Sequence, residues 1–66
     1  MALIKNYKKA VNAVVFAEKT QRFYITYKEV VDNEVKTLKR NLRAFEVLNI
    51  LDAINPIAFV SLKAAI

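Results

Sequence analysis

The chain has 66 residues, a formal net charge of +5 and 56% hydrophobic side chains, and it contains no cysteine, histidine, glycine or tryptophan. That composition excludes a disulfide framework, the common zinc and thiol-redox sites, a glycine-rich phosphate loop and a disordered polar tail. It allows one domain, residues 1–66, whose length buries only about 60% of the surface that the unfolded chain exposes. Small folds offset that deficit with disulfides, a metal or association, and association is what remains here. The basic balance points to an anionic partner, nucleic acid or a membrane surface.

Lysines interrupt the apolar residues of the N-terminal MALIKNYKKAV, so it does not read as a secretory signal, and a place inside a cell or particle is expected over secretion. Leu3, Ile4, Tyr7, Val11, Val14 and Val15 recur at helical spacing, with Lys5, Lys8, Lys9 and Asn12 facing elsewhere. Val11 to Ala17, however, is β-branched and aromatic, and that part is taken as a strand, with the first ten residues left open. The three lysines would suit an anionic membrane or a nucleic-acid backbone, a solvated helix face being the simpler account.

Glu18 to Gln21 is a short polar turn. Arg22 to Val31 is the clearest strand, with Phe23, Ile25 and Tyr27 on one face and Tyr24, Thr26, Lys28 and Val30 on the other. Asp32-Asn33 tolerates the left-handed backbone that a two-residue hairpin turn demands. With those two at the centre, Val31 faces Glu34, Val30 faces Val35, Glu29 faces Lys36, Tyr27 faces Leu38 and Phe23 faces Leu42. A rival pattern exists: Val35, Leu38, Leu42 and Phe45 have helical spacing, as do Lys36, Lys39, Arg40 and Arg43, which would make one helix from Glu34 to Ile54. In the hairpin arrangement Asn41 caps a helix from Leu42 to Ile54. Asn55-Pro56 ends that helix in either case, and Pro56 opens a second short helix to about Ala65. Without glycine, every turn is expected to use Asn, Asp or Pro56.

The stretch Ala44–Ile66 is mostly apolar, with polar residues only every third position at Glu46, Asn49, Asp52 and Asn55 before the final segment. On a helix these form one narrow stripe and leave most of the circumference oily. It is long enough to span a bilayer, but Glu46 and Asp52 would each cost about 2.5–3.5 kcal/mol near its centre. A protein contact is therefore expected, with Phe45, Leu48, Leu51, Ile54 and Phe59 as the oligomer interface.

The fold class expected is α+β: a small antiparallel β-meander over about 11–41, followed by a C-terminal helix pair broken at Asn55-Pro56. An all-α helical domain is the alternative. The basic run Lys36, Lys39, Arg40 and Arg43 supplies cations at the spacing that phosphate binding needs, where a solvated surface would do no more than keep the protein soluble. Arg22 and Tyr24 join it, Tyr24 as a base-stacking ring on the face away from Phe23 and Tyr27. General acid–base chemistry would fall to six carboxylates, lysine and tyrosine, and none is paired for it. These residues lead to a non-catalytic, basic, oligomerising protein that binds DNA or RNA mainly through phosphate contacts, without cofactor or metal. One alternative is a structural subunit of a larger assembly, of virion or scaffold type, held by the apolar C-terminal segment. A second is association with a membrane surface.

Overall fold

Alternation along Arg22–Val31 organises the whole structure. A computed structural model describes residues 3–65, and for Ala65 the backbone alone. The strand β1, Arg22–Val31, buries Phe23, Ile25 and Tyr27 and turns Arg22, Tyr24, Thr26 and Lys28 the other way, as a period of two requires. It pairs antiparallel with β2, Glu34–Arg43, in the register expected from the Asp32-Asn33 turn: Val30 with Val35, Glu29 with Lys36, Tyr27 with Leu38, Phe23 with Leu42. Both turn residues have positive φ, 52° and 66°, the pair that a type I′ turn needs in order to match the strand twist. The long-helix alternative for Glu34–Ile54 is excluded by that ladder.

The third strand comes from the C-terminal segment. Phe59–Ala65 forms β3 on the other side of β1, giving the order β2-β1-β3. Arg22 to Thr26 pair with Ala65 to Ser61. The register then shifts so that Tyr27 faces Phe59, which leaves Val60 as an extra residue. This β-bulge corrects the expected second helix from Pro56. Only Pro56–Ala58 is helical, a single 3-10 turn with the Asn55 side chain accepting from the Ile57 N–H at 3.0 Å. The bulge explains the misreading, because an extra apolar residue conceals the alternation of Phe59, Leu62 and Ala64 inward with Ser61 and Lys63 outward. Ile4 flanks the far side of β3, exchanging two backbone hydrogen bonds of 2.8 Å with Leu62.

Two helices cover the Phe23–Ile25–Tyr27 face. Helix α1, Tyr7–Val15, replaces the strand expected at Val11–Ala17. Its β-branched residues favour a strand, but the Tyr7, Ala10, Val11, Val14 stripe has a sheet to lie on, and burial outweighs propensity. The Asn6 side chain caps it, accepting from the Lys9 N–H at 3.2 Å. Helix α2, Ala44–Ala53, starts directly after β2 without a loop. Asn41 cannot cap it, because Asn41 is held in the ladder opposite Tyr24. The start is instead tied by the Ala44 N–H to the Gln21 carbonyl, at 3.2 Å, and by the Glu46 carboxylate accepting from the Arg43 N–H at 3.3 Å. The Glu18–Gln21 turn is present, closed by a 3.0 Å bond from the Gln21 N–H to the Glu18 carbonyl. It contains no Asn, Asp or Pro. No residue in it has positive φ, so ordinary side chains suffice.

The fold is thus α+β, two layers with one core between them. Ala10 and Val14 of α1, Ala44, Val47 and Leu51 of α2, and Phe59, Leu62 and Ala64 of β3 close over β1. Tyr7 links the layers: its hydroxyl donates to the Leu51 carbonyl at 2.8 Å, in the last turn of α2, and its ring meets Phe59 edge-on at 5.7 Å. Much of the cover expected from another molecule therefore comes from the chain itself.

Tyr7→Phe should lower stability by about 1 kcal/mol in urea unfolding, the worth of one hydrogen bond to a helix end. Leu62→Ala should cost about 2–5 kcal/mol. A core of this size supplies roughly 3–5 kcal/mol in all, so circular dichroism at 25 °C should report that variant as largely unfolded.

Candidate nucleic-acid interface

Both helices lie on one side of the sheet, so among the described residues nothing covers the other side. Directly opposed residues of antiparallel strands share a face, and the registers therefore assign its surface. From β1 come Arg22, Tyr24, Thr26, Lys28 and, on the ribbon, Val30; from β2, Val35 opposite it, then Thr37, Lys39, Asn41 and Arg43; from β3, Ser61 and Lys63. The strand-borne acids, Glu29 and Glu34, fall on the opposite parity. Cations, hydroxyls and one amide thus surround a single ring on a surface that carries no strand carboxylate.

Tyr24 is the centre of this surface. Asn41 flanks it on β2 and Lys63 on β3, with Arg22 and Thr26 two residues away along its own strand. It is 37% exposed, whereas Phe23 and Ile25 beside it are fully buried. The Lys39 ammonium sits 5.2 Å from its ring centroid, a cation–π contact worth about 0.5–1 kcal/mol at an exposed site. Arg22 stands directly opposite Arg43. Like charges so placed destabilise a sheet by a fraction of a kcal/mol; the strands supply no carboxylate to offset them, although that of Glu46 in α2 lies at the Arg43 backbone, accepting from its N–H at 3.3 Å.

Of the residues expected to meet nucleic acid, the structure brings Arg22, Tyr24, Lys39 and Arg43 together. It separates Lys36 and Arg40 from them. Lys36 opposes Glu29 and Arg40 opposes Ile25, so both lie on the helix side of β2. The basic run was grouped by closeness in sequence, and a strand divides such a run by parity. Lys28, on the Tyr24 face by strand alternation, joins Arg22, Tyr24, Lys39 and Arg43, and so does Lys63, which the helical reading of β3 hides. Lys5, Lys8 and Lys9 are exposed, but Lys8 and Lys9 belong to α1, in the layer away from this face.

The expected oligomer interface divides in the same way. Leu51 and Phe59 belong to the protomer's own core, and Leu48 and Ile54 pack half-buried against it. Having spent their surface inside, Leu51 and Phe59 are unavailable to a second molecule. Phe45 alone of that group stays open, at 55% exposure, and Phe16 after α1 reaches 86%. The Tyr7–Leu51 bond sets the start of α1 beside the end of α2. The helices therefore run antiparallel, and Phe16 and Phe45 come to the same end of the helical layer.

Beyond Tyr27 the sheet narrows to two strands, because β3 pairs only with Arg22–Tyr27. The ribbon from Lys28 to Thr37 is exposed on both sides apart from Val31, which is half-buried. The molecule measures 36 Å in its long dimension and 19 Å in the other two, the first close to the span of a ten-residue strand such as β1. Glu29, Asp32 and Glu34 gather towards the tip of the ribbon.

Among the described residues there is no pocket, no group of acidic residues placed to hold a metal ion, and no helix long and apolar enough to cross a membrane. No family model, curated protein or solved structure matches the chain.

Arg22→Glu should turn the repulsive Arg22–Arg43 pair into an attractive one. The urea midpoint should rise by the equivalent of up to about 1 kcal/mol at low salt. Near 1 M salt, where the screening length is about 3 Å, most of the gain should vanish.

Proposed function

We propose that the chain is a non-catalytic nucleic-acid-binding protein whose contact surface is the open sheet face, with affinity supplied mainly by phosphates. One observation carries this: Arg22, Lys28, Lys39, Arg43 and Lys63 converge on an uncovered face that no strand carboxylate shares. A protein that needed charge only for solubility would gain as much by mixing signs across its surface. Here the Arg22–Arg43 opposition is a standing cost that an anionic backbone removes. Phosphates seated between such cations release their condensed counterions, which makes the affinity strongly salt-dependent and nearly indifferent to sequence. Asn41, Thr26, Thr37 and Ser61 add neutral donors between the charges, suited to phosphate and sugar oxygens.

Oligonucleotide affinity should fall linearly with salt on logarithmic axes, the slope losing about 0.7–0.9 for each cation neutralised. Lys39→Glu and Lys63→Glu should each remove most of the binding, while Arg40→Glu, one residue along but on the other face, should remove little. Binding that ignores salt, or equal losses from Lys39→Glu and Arg40→Glu, would refute the open face as the contact surface.

A second reading, a subunit of a larger assembly, is supported by Phe16 and Phe45, large apolar side chains exposed at one end of the helical layer. In this reading a second copy of the chain covers that end, leaving the sheet face free. Phe45→Asp should then convert a salt-resistant oligomer to monomer by light scattering. A wild-type monomer at micromolar concentration would dismiss the idea without touching the nucleic-acid reading.

A further inference from the structure

We infer that the open face takes single-stranded rather than duplex nucleic acid, with one base stacked on the ring of Tyr24. The inference rests on the nucleic-acid reading of this face and goes beyond it, because phosphate contacts alone do not distinguish the two forms. Three features of the molecule do.

The first is the ring itself. Tyr24 is an exposed aromatic at the middle of the central strand, with cations along and across from it and only small polar neighbours, Thr26 and Asn41, at its sides. The side chain seen over the ring is the long Lys39, and the other neighbours across the ladders are Asn41 and Lys63. A base in a duplex has both π-faces covered by its neighbours, and only an unpaired strand can offer one to such a platform.

The second is Lys39. Its ammonium lies over the Tyr24 ring, 5.2 Å from the centroid. A base arriving there displaces the ammonium, and the displaced cation is then within reach of the same nucleotide's phosphate. Stacking on an aromatic outweighs the loss of one exposed cation–π contact, so the exchange favours binding. Lys39 thus shields the ring in the free protein and changes partner when a strand arrives.

The third is the ribbon. A two-stranded β-ribbon is one of the few elements that fits the major groove of duplex DNA, and Lys28–Thr37 has that shape. Its charges are Lys28, Glu29, Asp32, Glu34 and Lys36, with Glu29 opposite Lys36 and the acidic Asp32 and Glu34 at the tip that would enter a groove first. The element whose shape suits a duplex thus brings no net cationic charge to it, while the flat face has the charge and no shape for a groove. Arg22 and Lys28 bound the face along β1 at a separation of about 20 Å, enough for a few nucleotides of a single strand.

The test compares an oligothymidylate of about 12 nucleotides with a duplex of about 12 base pairs, both longer than the site, by fluorescence anisotropy on the full chain at one salt concentration. The single strand should bind at least about 5-fold more tightly, since one stacked base alone accounts for roughly 5- to 150-fold. Tyrosine emission, readable because the chain has no tryptophan, should be quenched as it binds. Tyr24→Phe should keep the preference. Tyr24→Ala and Tyr24→Leu should lose single-strand affinity by that factor and leave duplex affinity unchanged. The leucine variant keeps an apolar side chain at the position, and unchanged duplex affinity in both variants shows that the loss is not a folding effect. Equal affinity for the two forms, or single-strand binding undiminished in both variants, would overturn the inference while leaving a phosphate-binding face intact. Failure of wild-type protein to bind either oligonucleotide would remove the nucleic-acid reading and this inference with it.

Discussion

The two-sidedness of β1 is the constraint on which everything else depends. Every second residue, Phe23, Ile25 and Tyr27, is apolar and is drawn into the core. That forces the intervening Arg22, Tyr24, Thr26 and Lys28 to the other side, where no helix follows. Because β1 is the central strand, its parity passes through both ladders to β2 and β3. One hydrophobic decision thereby sets the side on which Lys39, Arg43 and Lys63 emerge. A slip of one residue in either register would exchange core and surface along a whole strand, so the positions of the charges are as well determined as those of the core residues.

Legibility in the sequence followed the distance over which each element is decided. The hairpin was readable because its signals are local: strict alternation, a turn pair tolerant of positive φ, and partners that make sense when folded back on each other. Helix α1 was not, because Val11, Val14 and Val15 argue for a strand, and only the presence of a sheet to lie on reverses that preference. β3 was the hardest. Its Phe59–Leu62 spacing imitates a helix, Pro56 suits a helix start, and the bulge at Val60 hides the period of two. Nothing within Pro56–Ala65 reveals that β1 has a vacant edge waiting for it.

The candidate site inherits the same split. Arg22, Tyr24, Lys39 and Arg43 were within reach because they lie on the hairpin. Lys63 was not, because its strand was unrecognised. The separation of Lys36 and Arg40 from Lys39 and Arg43, on the other hand, was already implied by the hairpin register, since Leu42 facing Phe23 fixes which residues of β2 point to the core. Treating four cations as one run overlooked that. The apolar C-terminal stretch shows the reverse error: its surplus surface is real, but β3 folds part of it back over β1, and only Phe45, Ile57 and a few others stay outside.

The lateness of β3 in the chain has a consequence for how the molecule comes into being. During translation the hairpin can zip from its own turn as soon as Arg43 is made, since only a two-residue loop has to close. The core cannot follow. Phe59, Leu62 and Ala64 have yet to be synthesised, and until they arrive the inner side of the hairpin offers an oily surface and an unpaired edge to whatever the cell holds nearby. Such nascent intermediates are prone to aggregate. The outer edge of β2, open before and after β3 docks, carries Lys36, Lys39, Arg40 and Arg43, whose charge discourages a neighbouring chain from adding itself there; the β1 edge is the one that stays vulnerable until β3 covers it.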